Sequence, residues 1–250
     1  MKKIIFLLLS IFTAGGLAIS QRSAPDFIPA KDGKITIQPI KHATMLLAFN
    51  KKTIYVDPTG GAEAFKGLDA PDIILITDIH GDHFDLQTLQ ALPTSKSVLV
   101  VPQAVADKIP SGLYKQEMIV LKNDDKVMVG DYEVAAIPMY NLPEAPDAFH
   151  TKGRGNGYVL TVGGKHIYIS GDTEDIPEMR ALKNIDIAFV CMNLPYTMDT
   201  KQAADAVLAF KPAIVYPYHY RGQDVEMFKG YVNAVDKNIE VRLREWYPAN

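Results

Sequence analysis

The sequence predicts an α/β protein in which helices cover the outer faces of β-sheets. Short apolar runs of strand character alternate with segments of helical spacing along most of the 250-residue chain. Alternation of this kind is typical of sheets that are covered by helices. No linker separates two halves of different composition, so we expect a single domain over residues 21–250.

The predicted strands are short apolar runs bounded by turn residues. Two pairs of runs are separated by only a few residues, at 50–52 and 162–165, and have the spacing of hairpins. Residues 21–33, which are polar and contain proline, are expected to form a leader before the first strand. The strands are predicted at residues 35–40, 44–49, 53–56, 73–77, 98–101, 118–121, 126–129, 132–139, 158–162, 166–170, 185–192, 213–216 and 239–243.

Helices are predicted where apolar residues recur at helical spacing. These segments are residues 86–92, 104–109, 176–182, 200–210 and 225–235. In the fourth segment, Ala203, Val207 and Phe210 form an apolar stripe. A stripe of this kind is expected to face the core.

The first twenty residues have the pattern of a secretory signal peptide. Lys2 and Lys3 precede an apolar run over residues 4–19, which ends in small residues near Ser20. The run is shorter than the roughly 18 to 20 residues that a membrane span requires. We therefore expect residues 1–20 to be cleaved, the protein to be exported to the periplasm or secreted, and no membrane association to remain. An uncleaved N-terminal anchor is the alternative.

Charge and cysteine content exclude several classes of protein. The 26 basic residues are interspersed among 29 acidic ones, and the formal net charge is −3. A nucleic-acid partner is therefore not expected. Cys191 is the only cysteine, so no intramolecular disulfide can form. It lies in an apolar run and is expected to be a small buried hydrophobe.

Three apolar runs end at residues that can bind a metal ion. Strand ends are rigid, and sheets of this class place their functional sites there. The first run is followed by a cluster with a glycine at its bend, Gly81, which permits a sharp turn. Four potential ligands within six residues fit two adjacent metal positions, although a polar loop that caps a helix is an alternative. The candidate ligands are Asp78, His80, Asp82, His83, Asp172 and His219.

These residues resemble the metallo-β-lactamase superfamily, whose hallmark is H-x-H-x-D-H followed by a histidine, an aspartate and a final histidine. The matching segments are residues 77–83 and 171–173 together with His219, and residues 41–44, 54–58 and 157–160 look similar too. The resemblance runs from about residue 35 to 219 and is greatest to the lactonase and phosphodiesterase-like hydrolases. It implies a four-layer αββα sandwich with a dinuclear metal site at one edge, between the sheets.

Two departures from the hallmark affect the first metal position. Asp78 stands where the hallmark has its first histidine, and no histidine is found near residues 140–141, where the third ligand is expected. Asn141, through its side-chain oxygen, or His150 could replace that ligand. The second metal position is complete, with Asp82, His83 and His219, and Asp172 is placed to bridge the two positions.

The metal itself is predicted from the same ligands. Zinc is expected first, with manganese or iron as alternatives because Asp78 makes the site harder, and one or two ions are expected. His42 lies near the edge of the site, where it either orients a ligand without touching the ion or simply packs.

The resemblance implies a metal-dependent hydrolase that acts on a small molecule. A divalent ion lowers the pKa of water from 15.7 towards about 7. Asp82 would bind the second ion or, with one metal present, accept a proton. Secreted β-lactamases of the superfamily usually have Cys or Ser where Asp172 stands, so an ester, a lactone or a phosphodiester is the expected substrate. The residues expected to line the pocket are Tyr140, Asn141, Asn193, Tyr196, Thr197 and Tyr218.

Two further hypotheses stay open at this point. The altered first position allows a non-catalytic protein that binds a metal and a ligand. An oxidoreductase with two irons is the other, and it would need an electron partner.

Overall fold

The computed structural model describes residues 22–248. The signal peptide predicted for residues 1–20 lies outside these residues. None of the described helices has the length and apolar character that crossing a membrane requires.

Two seven-stranded sheets form the centre of the fold. In the first sheet the strands lie in chain order: β1 (Asp26–Ala30), β2 (Gly33–Lys41), β3 (Thr44–Phe49), β4 (Lys52–Val56), β5 (Ile73–Leu75), β6 (Val98–Val101) and β7 (Met118–Val120). The second sheet also follows chain order: β8 (Lys126–Val129), β9 (Tyr132–Met139), β10 (Gly155–Val162), β11 (Lys165–Ile169), β12 (Ile187–Cys191), β13 (Ile214–Tyr218) and β14 (Glu240–Val241).

The two sheets have the same pairing pattern. In each, the first four strands pair antiparallel, and the fourth strand then begins a parallel segment. Parallel neighbours need crossover connections. All six described helices lie in those connections: α1 (Leu86–Ala91), α2 (Gln103–Ala106), α3 (Pro177–Arg180), α4 (Thr200–Phe210), α5 (Val225–Val235) and a short 3₁₀ helix (Ala62–Phe65).

Side-chain alternation in the first sheet separates two apolar layers. On β5, Ile73 and Leu75 face the core between the sheets, whereas Ile74 lies in a second cluster. That cluster includes Phe65, Leu89 and other residues of the flanking helices. Since successive strand residues point to opposite faces, a strand that is apolar throughout is buried on both sides. The predicted four-layer αββα arrangement is confirmed.

Helix α4 covers the second sheet and has the predicted bounds. The Asp199 side chain accepts a hydrogen bond from the Gln202 backbone N–H and completes a capping box. The predicted stripe of Ala203, Val207 and Phe210 is buried. Burial of a side chain as large as Val207 or Phe210 contributes about 2 kcal/mol. On β12, Cys191 is buried and unpaired, as predicted.

Strand β1 lies within the segment that was expected to be a polar leader. It pairs with β2 across a tight turn in which Asp32 has φ 61°. β1 forms the edge of the first sheet, where Pro29 removes no hydrogen bond that a second neighbour would need. Strand patterning misses β1 because it is short and contains proline, although Asp32-Gly33 is a recognised hairpin signal.

The two sheets approach each other closely where β5 ends. The Asn156 N–H donates to the Thr77 carbonyl at 2.9 Å, and the Tyr158 hydroxyl donates to the Ile76 carbonyl at 2.9 Å. A Cβ at Gly155 would lie only 2.8 Å from the Thr77 oxygen. Glycine at this position therefore lets β10 pack against the segment that begins the metal-ligand cluster.

Candidate metal centre

The predicted ligands lie together at one edge of the sandwich. Asp78, His80, Asp82 and His83 follow β5, while Asp172 follows β11 and His219 follows β13. Each of the three strands has a parallel neighbour in its sheet, so each brings its C-terminal end to this edge. The loop between β9 and β10 brings His150 to the same place, and His42 comes from the end of β2.

Four side chains could hold an ion at the second metal position, Asp82, His83, Asp172 and His219. The His219 Nε2 atom lies 3.3 Å from Asp82 Oδ2 and 3.4 Å from Asp172 Oδ1. The His83 Nε2 atom lies 3.2 Å from Asp172 Oδ2. Nitrogen and carboxylate oxygen atoms at these separations can surround a single divalent ion.

The first metal position contains Asp78, His80 and His150. The His80 Nδ1 atom lies 2.7 Å from Asp78 Oδ2, and the His150 Nε2 atom lies 3.9 Å from that oxygen. His150 Nε2 is also 3.2 Å from Asp172 Oδ2. Asp172 thus contacts histidines of both positions and is placed to bridge them.

Several of the ligand atoms are buried and lack a hydrogen-bonding partner within residues 22–248. These atoms are the Nε2 atoms of His83, His150 and His219, and Oδ1 of Asp172. Leaving such a group unsatisfied costs about 1–3 kcal/mol. Because the atoms face the two metal positions, divalent cations at those positions would satisfy them. The residues therefore fit the metal that the motif predicts.

Asn141 holds His150 and has no free polar atom of its own. Its Oδ1 accepts hydrogen bonds from the His150 backbone N–H at 2.7 Å and from Nδ1 at 3.1 Å. Its amide nitrogen donates to Glu174 and to the Tyr196 carbonyl. Of the two residues considered for the third ligand of the first position, the geometry favours His150, with Asn141 orienting the ring.

Asp57 orients His83 in a similar way. The carboxylate accepts hydrogen bonds from the Thr77 backbone N–H and hydroxyl, both at 2.7 Å, and lies 2.8 Å from His83 Nδ1. This contact places the ring proton on Nδ1, so that Nε2 faces the metal position. In the sequence, Asp57 was marked only as part of residues 54–58, one of the segments that look similar to the superfamily, and that similarity was its signal.

His42 orients Asp82 through a chain of hydrogen bonds. The Tyr247 hydroxyl accepts from the Arg221 N–H and contacts His42 Nδ1 at 2.6 Å, while His42 Nε2 lies 2.9 Å from Asp82 Oδ2. Burial lowers the pKa of His42. The ring is therefore neutral at pH 7, with Nε2 as the donor. Both ring nitrogens are engaged, which favours the orienting role over that of a ligand.

The charges of the second position strongly perturb one another. Burial would raise the pKa of Asp172, but the charges of His219 and His83 hold it well below its usual range. Burial would lower the pKa of His83, but Asp172 and Asp57 raise it well above its usual value. Without a metal, the Asp172 carboxylate is therefore ionised at neutral pH, and the His83 ring is protonated on both nitrogens.

Arg154 is a member of the site that no sequence pattern marked. Its guanidinium donates to both oxygens of Asp78, from Nε at 3.2 Å and from Nη2 at 3.0 Å. Burial acts to raise the pKa of Asp78, but the His80 hydrogen bond and the charges of His83 and Arg154 lower it. Arg154 lies in a loop between strands, where no periodic pattern marks a functional residue.

A cavity of about 240 Å³ opens above the metal positions. Asn193 and Tyr196 line it, as expected, whereas the hydroxyls of Tyr140, Thr197 and Tyr218 are engaged with Glu178, the Asn193 N–H and the Gly171 N–H. A larger cleft, of about 1090 Å³, contains none of the metal-ligand residues. The residues lining the smaller cavity are His80, Asp82, Phe149, His150, Asp172, Asn193, Tyr196 and Arg221.

Comparison with known proteins identifies the class. Residues 36–219 match the family described as the beta-lactamase superfamily domain, which covers well over half of the chain. The protein therefore belongs to the beta-lactamase superfamily and is a metal-dependent hydrolase of that fold. The resemblance noted in the sequence is confirmed.

Individual relatives extend over nearly the whole chain. A UPF0173 metal-dependent hydrolase of Pyrococcus furiosus is 30% identical, over 82% of this chain and 95% of its own length. The crystal structure of a proposed metal-dependent hydrolase from Parabacteroides distasonis is 40% identical, with a TM-score of 0.80 over 89% of this chain and 99% of that chain.

A more distant structure shows the fold alone. CmlA from Streptomyces venezuelae, a diiron β-hydroxylase, is 18% identical, with a TM-score of 0.65 over 88% of this chain and 54% of that chain. A shared fold does not imply a shared function.

Proposed function

We propose that the protein hydrolyses a small ester, lactone or phosphodiester and that zinc is its metal. The observation that supports this most directly is the convergence of unpartnered histidine and aspartate atoms beneath a cavity. When bound, a divalent ion lowers the pKa of water and polarises a carbonyl or phosphoryl oxygen. The chain supplies the buried ligands and their orientation.

Asp82 faces the cavity and has the position required of a catalytic residue. Its side chain is 38% exposed, whereas Asp172 is almost fully buried. Burial acts to raise the pKa of Asp82, but the close contacts with His219 and His42 lower it far below its usual value. A carboxylate with so low a pKa is a weak base, so we favour the role of metal ligand for Asp82 over that of proton acceptor.

The walls of the cavity favour a substrate with an anionic group. Arg221 and Asn193 line the cavity, and the side chain of neither forms a hydrogen bond to another described residue. Asn193 is only 5% exposed. A guanidinium and an amide without other partners can bind a carboxylate or a phosphate. The aromatic rings of Phe149 and Tyr196, 4.9 Å apart, provide an apolar wall.

Metal removal and reloading test this function. The protein is stripped with EDTA, reloaded with zinc and assayed on p-nitrophenyl esters, acyl homoserine lactones and bis(p-nitrophenyl) phosphate. We expect turnover of one class after reloading and a loss of at least 100-fold in the stripped protein and in His219→Ala. Activity that survives stripping would contradict the proposal.

The same experiment separates the two other hypotheses. Stoichiometric zinc binding without turnover of any substrate would favour the non-catalytic protein. Visible absorbance from iron in the isolated protein would favour the oxidoreductase.

We also propose that the protein is exported, on the basis of the pattern in residues 1–20. The test is the N-terminal mass of the protein recovered from the periplasmic and culture fractions. A mature chain that begins near residue 21 is expected, and an intact N-terminus in the membrane fraction would support the anchor instead.

A further inference from the structure

The first metal position carries a buried ion pair in addition to its ligands. Asp78 is fully buried, and the Arg154 side chain is 20% exposed. The guanidinium contacts both carboxylate oxygens in the two-pronged geometry that makes Arg–carboxylate pairs strong. Among the described residues, Asp78 is the only hydrogen-bond acceptor for the Arg154 side chain.

The oxygen of Asp78 that faces the metal position is also an acceptor for Arg154. Asp78 Oδ2 lies 2.7 Å from His80 Nδ1 and 3.0 Å from Arg154 Nη2. An ion at the first position would therefore share this oxygen with a guanidinium. Because arginine stays protonated at every ordinary pH, that competition is permanent.

The second position has no comparable cation. The Asp82 and Asp172 carboxylates contact histidines, and no lysine or arginine of residues 22–248 lies within ion-pair distance of either one. Two carboxylates are thus available to a divalent ion at the second position. At the first position, the charge of Asp78 is already balanced.

We propose that Arg154 makes the two metal positions unequal. It neutralises Asp78, so that a divalent ion fills the second position first and is held more weakly at the first. The pair has no net charge, like the neutral histidine that the hallmark places at residue 78. In this role Arg154 is a positioning residue that acts through Asp78.

Zinc titration calorimetry of the stripped, full-length purified protein tests this directly. The wild-type protein is expected to bind two ions with affinities that differ at least 10-fold, or a single ion. In Arg154→Met, the weaker step should become at least 10-fold tighter, while the stronger step stays within 3-fold. Arg154→Lys retains the charge and should leave the weaker step weak.

A double-mutant cycle provides a second, independent measurement. Asp78→His restores the hallmark residue but leaves Arg154 as an unpaired cation beside the first position. This variant should therefore bind the weaker ion, at the first position, more weakly than the wild-type protein does. The double variant with Arg154→Met should bind that ion more tightly than either the wild type or Asp78→His. Lys152→Met is the matched control, since Lys152 lies in the same loop as Arg154 and pairs with Glu178 of helix α3.

Several results would overturn the proposal. Two equal steps in the wild type would do so, as would a weaker step that Arg154→Met leaves unchanged or loosens. If Asp78→His alone bound the ion at the first position more tightly than the wild type, Arg154 would not weaken binding at that position. The stronger step serves as an internal check on folding, and the readout is zinc binding, so it does not depend on whether hydrolysis is found.

Discussion

Three of the predicted metal ligands in this site are oriented by a second side chain that is not itself predicted to bind an ion. Asp57 orients His83, Asn141 orients His150, and His42 orients Asp82. A ring nitrogen that is fixed by one hydrogen bond presents the opposite nitrogen at a defined angle. We therefore expect the orienting residues to affect metal affinity by about 10- to 100-fold.

Substitution of Asp57 tests this effect on the second metal position. Asp57→Asn preserves the size of the side chain but removes the charge that holds the proton on His83 Nδ1. We expect zinc affinity at the second position to fall by about 10- to 100-fold. Calorimetry measures the change, and Asp69→Asn, on the surface, is the control. Equal affinities in the two variants would show that Asp57 has no orienting role.

Zinc binding is expected to release protons near neutral pH. The pKa of His83 is raised well above its usual value, so Nε2 must lose its proton when zinc binds. The affinity should therefore rise with pH until the pH passes the raised pKa and then level off. Calorimetry in two buffers of different ionisation enthalpy counts the protons. A binding enthalpy independent of the buffer would contradict this expectation.

Arg221 is expected to determine the preference for anionic substrates. In Arg221→Met, loss of a charge-assisted hydrogen bond, worth about 1.5–3 kcal/mol, should lower kcat/KM by about 10- to 100-fold. The loss should appear for substrates with a carboxylate or phosphate and not for neutral esters of the same size. Steady-state assays on matched pairs measure the effect, and a uniform loss would exclude anion recognition by Arg221.

At the level of elements, the site depends on the close approach of β10 to the end of β5. Gly155 makes this approach possible, because a side chain there would meet the Thr77 carbonyl and Met139. The same contact fixes the start of the loop that carries Asp78 and brings Arg154 beside it. Packing between the sheets thus controls the geometry of the first metal position.

Gly155→Ala tests this contact. Its added Cβ would lie 2.6 Å from Met139 Cε and 2.8 Å from the Thr77 oxygen, so we expect a loss of about 1–3 kcal/mol in unfolding free energy. Urea denaturation measures the change. Gly230→Ala is the matched control, since no atom lies within 4 Å of its added Cβ, and helix α5 should become more stable by about 0.5–1 kcal/mol. Equal midpoints would contradict the role given to Gly155.

Most of the regular elements could be predicted because their patterns are local. Helix α5 and strands β3, β6, β8 and β9 have the bounds that periodicity gave. Strand β1 was not predicted because it is a short edge strand with a proline. Its assignment depends on pairing with β2, which alternation within five residues cannot reveal.

At the level of the whole molecule, the metal ligands come from both sheets. Asp78 to His83 follow the first sheet, while Asp172 and His219 follow the second. An ion bound by these residues connects the two halves of the chain. It binds the native state in preference to the unfolded chain, so it stabilises the fold.

Removal of the metal should therefore lower the thermal midpoint. At a free zinc concentration 100 times Kd, the stabilisation is about 2.7 kcal/mol. For a chain of this size we expect a rise of roughly 5–10 °C in Tm on reloading. Differential scanning calorimetry measures it, and Asp172→Asn should show a much smaller rise. An unchanged midpoint in the reloaded wild-type protein would indicate that no specific site is filled.

The sequence alone determined the layered α/β class, the superfamily and the types of ligand, because these depend on periodicity and on residues within single strand ends. Only the tertiary structure brought His150, Arg154 and Asp57 to the ligands. His150 and Arg154 lie in an irregular loop, 72 and 76 residues from Asp78 by number. Contacts over such separations are set by how the two sheets pack, and no local pattern records that packing.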